Sequence, residues 1–154
     1  MDSLKEYKQK RNFTQTPEPA SSGEALPASP PGVEGRFVVQ EHHARRLHWD
    51  FRLEADGVLK SWVLPKGLPR EKGERRLAIE VEDHPLDYID FEGEIPEGNY
   101  GAGQVIIQEK GFYVLLKKSP QKIKFALQGD DVQGAFLLLK TGQAENHWLM
   151  IKYL

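Results

Sequence analysis

Cysteine is absent from the 154-residue sequence. Disulfides, thiolate metal sites and a cysteine nucleophile are thereby excluded, and any metal must be held by imidazoles and carboxylates. Apolar runs are short: none reaches the length of about eighteen residues that a membrane-spanning helix needs. The N-terminus has no apolar stretch of the kind a secretory leader carries, so a cytoplasmic protein with no membrane partner is expected. An excess of one charge is also lacking, the formal net charge being −2. That balance argues against a generally basic, non-specific nucleic-acid binder, because such affinity comes mostly from phosphate neutralisation. The charges are nevertheless segregated. Residues 35–76 hold ten Lys/Arg against six Asp/Glu, and residues 77–110 hold one Lys against nine acids. A polyanion has to dock on the first block.

Helical periodicity is missing after residue 35. Short apolar segments alternate there with turn signals, and strands are expected near 36–41, 46–54, 58–64, 76–82, 87–92, 103–109, 111–117, 122–128, 134–140 and 146–152. Strands at this spacing predict an all-β fold, a compact closed or nearly closed barrel of about eight to ten short strands. Phe112, Val114, Ile123, Phe125, Leu127, Phe136, Leu138, Trp148 and Met150 supply its core from the C-terminal half. Two segments precede this domain of residues 35–154. Residues 2–12 are rich in helix formers, with Leu4, Tyr7 and Arg11 at helical spacing, and predict one short helix. It is either an arm delivering Arg11 or a frayed terminus. Residues 14–34 contain Pro17, Pro19, Pro27, Pro30 and Pro31, half of the ten prolines, and read as a strap or linker. Residues 1–34 are accordingly set apart as an arm.

The densest chemistry lies in Arg45-Arg46-Leu47-His48-Trp49-Asp50-Phe51-Arg52-Leu53, whose polar and apolar residues alternate strictly. Period two means a strand with one face in the core, here Leu47, Trp49, Phe51 and Leu53, while His48, Asp50 and Arg52 project from the other. His48 and Asp50 then stand roughly 7 Å apart at their α-carbons, close enough to share one divalent ion. His42 lies six residues upstream, beyond a segment that can turn the chain back. Two imidazoles and one carboxylate form a borderline donor set suited to Mn, Fe or Zn, with positions open for substrate. Arg52, next on the same face, offers a guanidinium fork that fits a phosphate.

A second strand repeats the theme. In Arg76-Leu77-Ala78-Ile79-Glu80-Val81-Glu82-Asp83-His84, the alternation sets Leu77, Ile79 and Val81 on the core face and Arg76, Glu80, Glu82 and His84 on the polar one. Pro85 closes the strand, and Tyr88 follows within reach of the same edge. The glycine-rich segment from Gly93 to Gly103 lacks the lysine of a phosphate-binding loop and reads as a tight connection.

Read in order, four motifs together resemble a known family: His42-x5-His48-x-Asp50-x-Arg52; Ser61-Trp62 with Pro65-Lys66-Gly67; Glu82-Asp83-His84-Pro85-Leu86-Asp87-Tyr88; and Gly98-Asn99-Tyr100-Gly101-Ala102-Gly103. That family is the 3′-phosphoesterase domain of the bacterial end-joining DNA ligase D. The likeness spans nearly the whole chain, including Lys10-Arg11-Asn12-Phe13-Thr14, Pro17-Glu18-Pro19 and Trp148-Leu149-Met150-Ile151-Lys152. The resemblance implies a manganese-dependent enzyme on a β-barrel that removes a 3′-terminal ribonucleoside from a primer–template and then the remaining 3′-phosphate. The resulting 3′-hydroxyl would serve a ligase or polymerase acting in trans. It implies metal ligands at His42, His48 and Asp50, and phosphate-contacting or catalytic groups at Arg52, His84 and Tyr88. His84 or Tyr88 would protonate the leaving oxygen. Supporting roles are implied at Glu82, Lys66 and Arg76, and N-terminal contributions at Arg11 and Glu18. The family usually has an aspartate after that arginine, where this chain has Asn12. Two other readings share the same residues. A two-histidine, one-carboxylate iron oxygenase would combine His48 and Asp50 with His84 or His147. A non-catalytic barrel would bind DNA ends indifferently to metal.

Overall fold

The computed structural model describes residues 3–20 and 34–154. Alternating residues on nine antiparallel strands build it: β1 (Gly35–His43), β2 (Leu47–Ala55), β3 (Val58–Leu64), β4 (Arg75–His84), β5 (Gly93–Ile95), β6 (Gly103–Ser119), β7 (Lys122–Gly129), β8 (Gln133–Lys140) and β9 (His147–Lys152). They follow the order β1-β2-β3-β4-β9-β8-β7-β6, and a β1–β6 pairing closes the eight-stranded barrel. The ninth, β5, is added to the start of β6. Closure removes the exposed sheet edges that would otherwise template aggregation. The expected all-β barrel with a short N-terminal helix is the fold found. No helix among the described residues is long and apolar enough to cross a membrane.

The barrel interior is filled by Phe37, Val39, Phe51, Leu53, Trp62, Phe125, Phe136, Leu138, Trp148 and Met150, among others. Phe51 stacks on Phe125 at 5.7 Å and Trp62 meets Trp148 edge-on at 6.0 Å. Each such ring contributes roughly 1.5–3 kcal/mol by leaving water. A second apolar cluster lies on the outer face of the same strands: Tyr7, Val38, Leu59, Tyr88, Ile89, Phe91, Ile95 and Val105. The N-terminal helix α1 (Lys5–Gln9) and a 3-10 turn (Leu86–Asp90) bring Tyr7, Tyr88 and Ile89 to it. The outer face of β1 and β2 is therefore covered, and the polar side chains on it are buried: Gln40 is 0% exposed and Arg52 3%. This barrel has a core inside and a site under a cover outside.

Several local expectations are corrected. Residues 87–92 form no strand, and Leu86–Asp90 is the 3-10 turn instead. Pro85 cannot donate to a ladder, and the Tyr88 amide bonds back to its carbonyl at 3.0 Å. The two strands expected at 103–109 and 111–117 are one, bent where its register against β1 shifts. That shift reverses the facing: Val105 joins the outer cluster, whereas Tyr113 and Leu115 reach the interior in place of Phe112 and Val114. On β4 the core face carries Ala78, opposite Trp148, and Leu77 is 38% exposed. A register shift between β3 and β4 then turns the end of β4, so His84 pairs with Leu59 on the outer face. Glu80 instead accepts the indole N–H of Trp148 at 3.0 Å. Leu47, at the start of β2 beside the hairpin turn, is exposed rather than anchored.

The helix is shorter than the 2–12 predicted, with no side-chain cap at its start. It is held by burial of Tyr7, whose hydroxyl donates to the Pro19 carbonyl. Of the proline-rich strap, Pro27, Pro30 and Pro31 lie outside the described residues.

Candidate metal centre and active site

His42 from β1 and His48 from β2 sit directly opposite each other in the strand register, and Asp50 is one pleat further along β2. His42 Nδ1 stands 3.5 Å from Asp50 Oδ2, and His48 Nε2 is 3.4 Å from the same oxygen. The three ligand atoms lie within 4.8 Å of one another, so the group can hold a metal ion. The two remaining ring nitrogens face backbone carbonyls: His42 Nε2 lies 2.6 Å from Gly101 O, and His48 Nδ1 lies 3.1 Å from Arg46 O. A carbonyl can only accept, so those nitrogens carry the hydrogens. The lone pairs of His42 Nδ1 and His48 Nε2 are then available at one point, the arrangement metal-binding imidazoles require. The residues present fit a divalent cation.

Electrostatics support the same point. Burial alone would raise the Asp50 pKa, but Arg52 and the adjacent imidazoles of His42 and His48 hold its carboxyl far below the ordinary range. Burial would lower the His48 pKa, yet the Asp50 hydrogen bond and charge outweigh it, and the value is raised.

Arg52 is buried and held by neutral partners. Its Nε donates to Gln40 Oε1 at 2.7 Å and its Nη1 to Ser61 Oγ at 2.8 Å. Gln40 is fixed in turn by donating to the carbonyls of Tyr88 and Phe91 at 3.0 and 3.1 Å. Arg52 Nη2 lies 3.6 Å from Asp50, and the guanidinium sits 4.8 Å from the Tyr88 ring centre. The fork expected to face a phosphate thus has two of its nitrogens occupied, and Nη2 keeps donor capacity.

A second charged layer comes from the arm. Arg11 donates to Glu18 at 2.9 Å and to Glu82 at 3.2 Å, and approaches His84 Nε2 at 3.4 Å. Glu18 also accepts the Tyr88 hydroxyl at 2.8 Å. His84 Nδ1 faces Glu82 O at 3.0 Å, so it carries the hydrogen and Nε2 is left as an acceptor. Burial, with Arg52 and Arg11 nearby, holds the His84 pKa well below the ordinary imidazole value. Burial also drives the Tyr88 phenol well above its ordinary value, so it keeps its proton.

Arg11, Glu18, His42, His48, Asp50, Arg52, Glu82, His84 and Tyr88 all line one cavity of about 250 Å³. Lys66 and Arg76 do not line it. Lys66 is exposed in the turn after β3, and Arg76 pairs with Glu74 at 2.7 Å. His147 also lies outside the lining, and the distal imidazole beside His48 and Asp50 is His42, not His84 or His147. Asn12 is exposed and caps its own turn, accepting the Thr14 amide at 3.1 Å. Sequence reasoning missed Gln40, and it named Ser61, Tyr100 and Gly101 within motifs without giving them a role. Gln40 shares parity with His42 and was legible on that ground. The role of Ser61 becomes visible only once it is paired opposite Arg52.

This constellation coincides with a family match. Residues 40–140 fit the family described as the DNA Ligase D 3′-phosphoesterase domain. The chain belongs to that family. It is 46% identical, over 97% of its length, to the Multifunctional non-homologous end joining protein LigD of Pseudomonas aeruginosa. It is 45% identical over 96% of its length to the Multifunctional non-homologous end joining DNA repair protein LigD of Mycobacterium tuberculosis. The Mycolicibacterium smegmatis relative is 42% identical over 91%. The chain spans only 18–19% of those proteins. The matched stretch of the 3′-phosphoesterase family contains the whole metal group with Arg52, Glu82, His84 and Tyr88, while Arg11 and Glu18 precede it.

Proposed function

We propose that this protein is a manganese-dependent phosphoesterase that heals 3′ ends. It removes a 3′-terminal ribonucleoside and then the 3′-phosphate, leaving a hydroxyl for a ligase or polymerase in trans during end joining in the cytoplasm. The observation that carries the reading is the convergence, in one cavity, of the His42–His48–Asp50 group with Arg52 and His84.

Two imidazoles and one carboxylate are borderline donors that suit manganese. Bound there, the ion would supply Lewis-acid charge against a non-bridging phosphate oxygen. Arg52 Nη2 donates to another oxygen of the same phosphate, held in direction by Gln40 and Ser61. Burial, with Arg52 and Arg11 nearby, keeps His84 neutral, and a phosphate dianion offsets the part due to those two charges. His84 Nε2 then takes up a proton from solvent and gives it to the leaving oxygen as water adds to phosphorus and the P–O bond breaks, the water's own proton passing to solvent. Tyr88, tied to Glu18, keeps its proton and orients Arg52 from below the guanidinium. Glu82 and Glu18 fix Arg11, so residues 1–34 act as an accessory arm to the barrel of residues 35–154. Lys66 and Arg76 act further out, on flanking phosphates.

An oligonucleotide bearing a 3′-phosphate tests the reading. Inorganic phosphate is released with Mn2+ and not with excess chelator. Absence of release with the metal present overturns the proposal, and end binding indifferent to chelator and to Asp50→Ala would mark a non-catalytic barrel instead.

A further inference from the structure

Tyr100 is exposed at 49%, while the cavity's other lining side chains are buried or partly so. It is held in place from below: Lys10 Nζ lies 4.7 Å and the Arg11 guanidinium 5.2 Å from its ring centre, and Lys10 donates to its hydroxyl at 3.4 Å. The next residue, Gly101, is the one whose carbonyl orients His42. A fixed, half-open aromatic ring therefore stands one residue from the carbonyl that holds a ligand of the metal group. The other rings of the cavity offer a nucleobase nothing comparable, because Tyr88 and His84 are buried and His42 and His48 belong to the metal group.

The rim has two charge characters. At Ala44 it runs into Arg45 and Arg46, both exposed, and at Tyr100 it belongs to a segment with exposed Glu94 and Glu97, the Lys10 and Arg11 charges under the ring being matched by Glu6, Glu18 and Glu82. The upstream strand carries a phosphate at every step and is drawn to the cationic side. The terminal ribonucleoside beyond the scissile phosphate carries no further phosphate, so it alone tolerates the acidic side. We propose that Tyr100 is the stacking platform for the nucleobase of the departing 3′-terminal nucleoside, an inference that rests on the phosphoesterase reading. Every base has a π-face, so this subsite accepts all bases and measures only that a base is there.

The test is a double-mutant cycle on binding, in chelator so that no cleavage occurs. Affinities for a primer–template ending in a ribonucleoside, or in the same ribose without its base, are compared for wild type, Tyr100→Ala, Tyr100→Leu and Tyr100→Phe. Removing the ring or the base should each weaken binding by about tenfold, and removing both should cost no more than either alone. Tyr100→Phe should bind as wild type, and Tyr100→Leu as Tyr100→Ala. Independent losses, tight binding by Tyr100→Leu, or coupling to the penultimate base instead of the terminal one each overturn the proposal. Coupling to the terminal base with no Mn2+-dependent cleavage by wild type retains the stacking site and overturns only the phosphoesterase reading.

Discussion

His42 donates from Nε2 to the carbonyl of Gly101 at 2.6 Å, and that bond turns its other ring nitrogen toward Asp50. Gly101 has φ +75°, and a Cβ there would stand 3.4 Å from His42 Cε1. Gly101→Ala puts left-handed strain of roughly 1–2 kcal/mol on the peptide whose carbonyl holds the imidazole. Mn2+ affinity, read by calorimetric titration, should fall about tenfold or more. Unchanged affinity would mean that the carbonyl does not orient the ligand.

Gln40→Ala should be costly although Gln40 carries no charge. It strips Arg52 Nε of its acceptor and the Phe91 carbonyl of the Gln40 amide, while the Tyr88 carbonyl keeps only the Phe91 amide. Each buried orphan costs about 1–3 kcal/mol, so a lowered melting temperature and impaired phosphate release are expected together. Arg52→Lys should be severely impaired too, since an ammonium cannot meet Gln40, Ser61 and a phosphate in one plane. Normal turnover in Arg52→Lys would remove the fork from the mechanism.

Two of the arm's ion pairs should differ in worth. Glu18→Ala removes one of the two carboxylates that Arg11 meets in a buried setting and leaves the Tyr88 hydroxyl without its acceptor, and should cost about 1–3 kcal/mol by denaturant unfolding. Lys10→Ala loses a pair whose lysine side chain is 32% exposed, worth about 0–1 kcal/mol. Equal losses would show that the arm is not docked as described.

Acid should compete with the metal at His48. Its pKa is raised, so as pH falls through that value a proton occupies Nε2 and Mn2+ affinity drops by about tenfold per unit; above it, affinity levels off. Calorimetry in buffers of different ionisation enthalpy should detect proton release near neutral pH, and pH-independent binding would contradict the ligand assignment. In the metal-free protein the two histidines act oppositely on stability. The raised pKa of His48 contributes stability present below its unfolded value and lost as pH rises through the folded one. The depressed pKa of His84 contributes stability present above its unfolded value and lost as pH falls toward the folded one.

The metal group was legible because His48 and Asp50 are two residues apart on one strand, and a hairpin turn brings His42 opposite. Strict alternation served well on β2 and failed wherever register shifts. Neither the shift in β6 nor that at the end of β4 has a signature in local hydrophobicity, so Phe112, Val114, Leu77 and Glu80 were read onto the wrong faces. That the polar face is itself buried was not legible, for a different reason. What covers it comes from Tyr7 and Tyr88, far along the chain, and pairwise periodicity carries no information about such contacts. The glycine-rich segment hid its role because that role is played by a backbone carbonyl.

The central claim is that three side chains on two adjacent strands hold the ion that drives 3′-end chemistry. It is tested most directly by incubating wild type and Asp50→Ala with Mn2+ and a primer–template ending in one ribonucleotide, then resolving the products on a gel. The account predicts that wild type shortens the primer by its terminal nucleoside and then frees a 3′-hydroxyl, while folded Asp50→Ala leaves the primer intact. Wild-type turnover by Asp50→Ala, or an untouched primer with the wild-type enzyme, would contradict it.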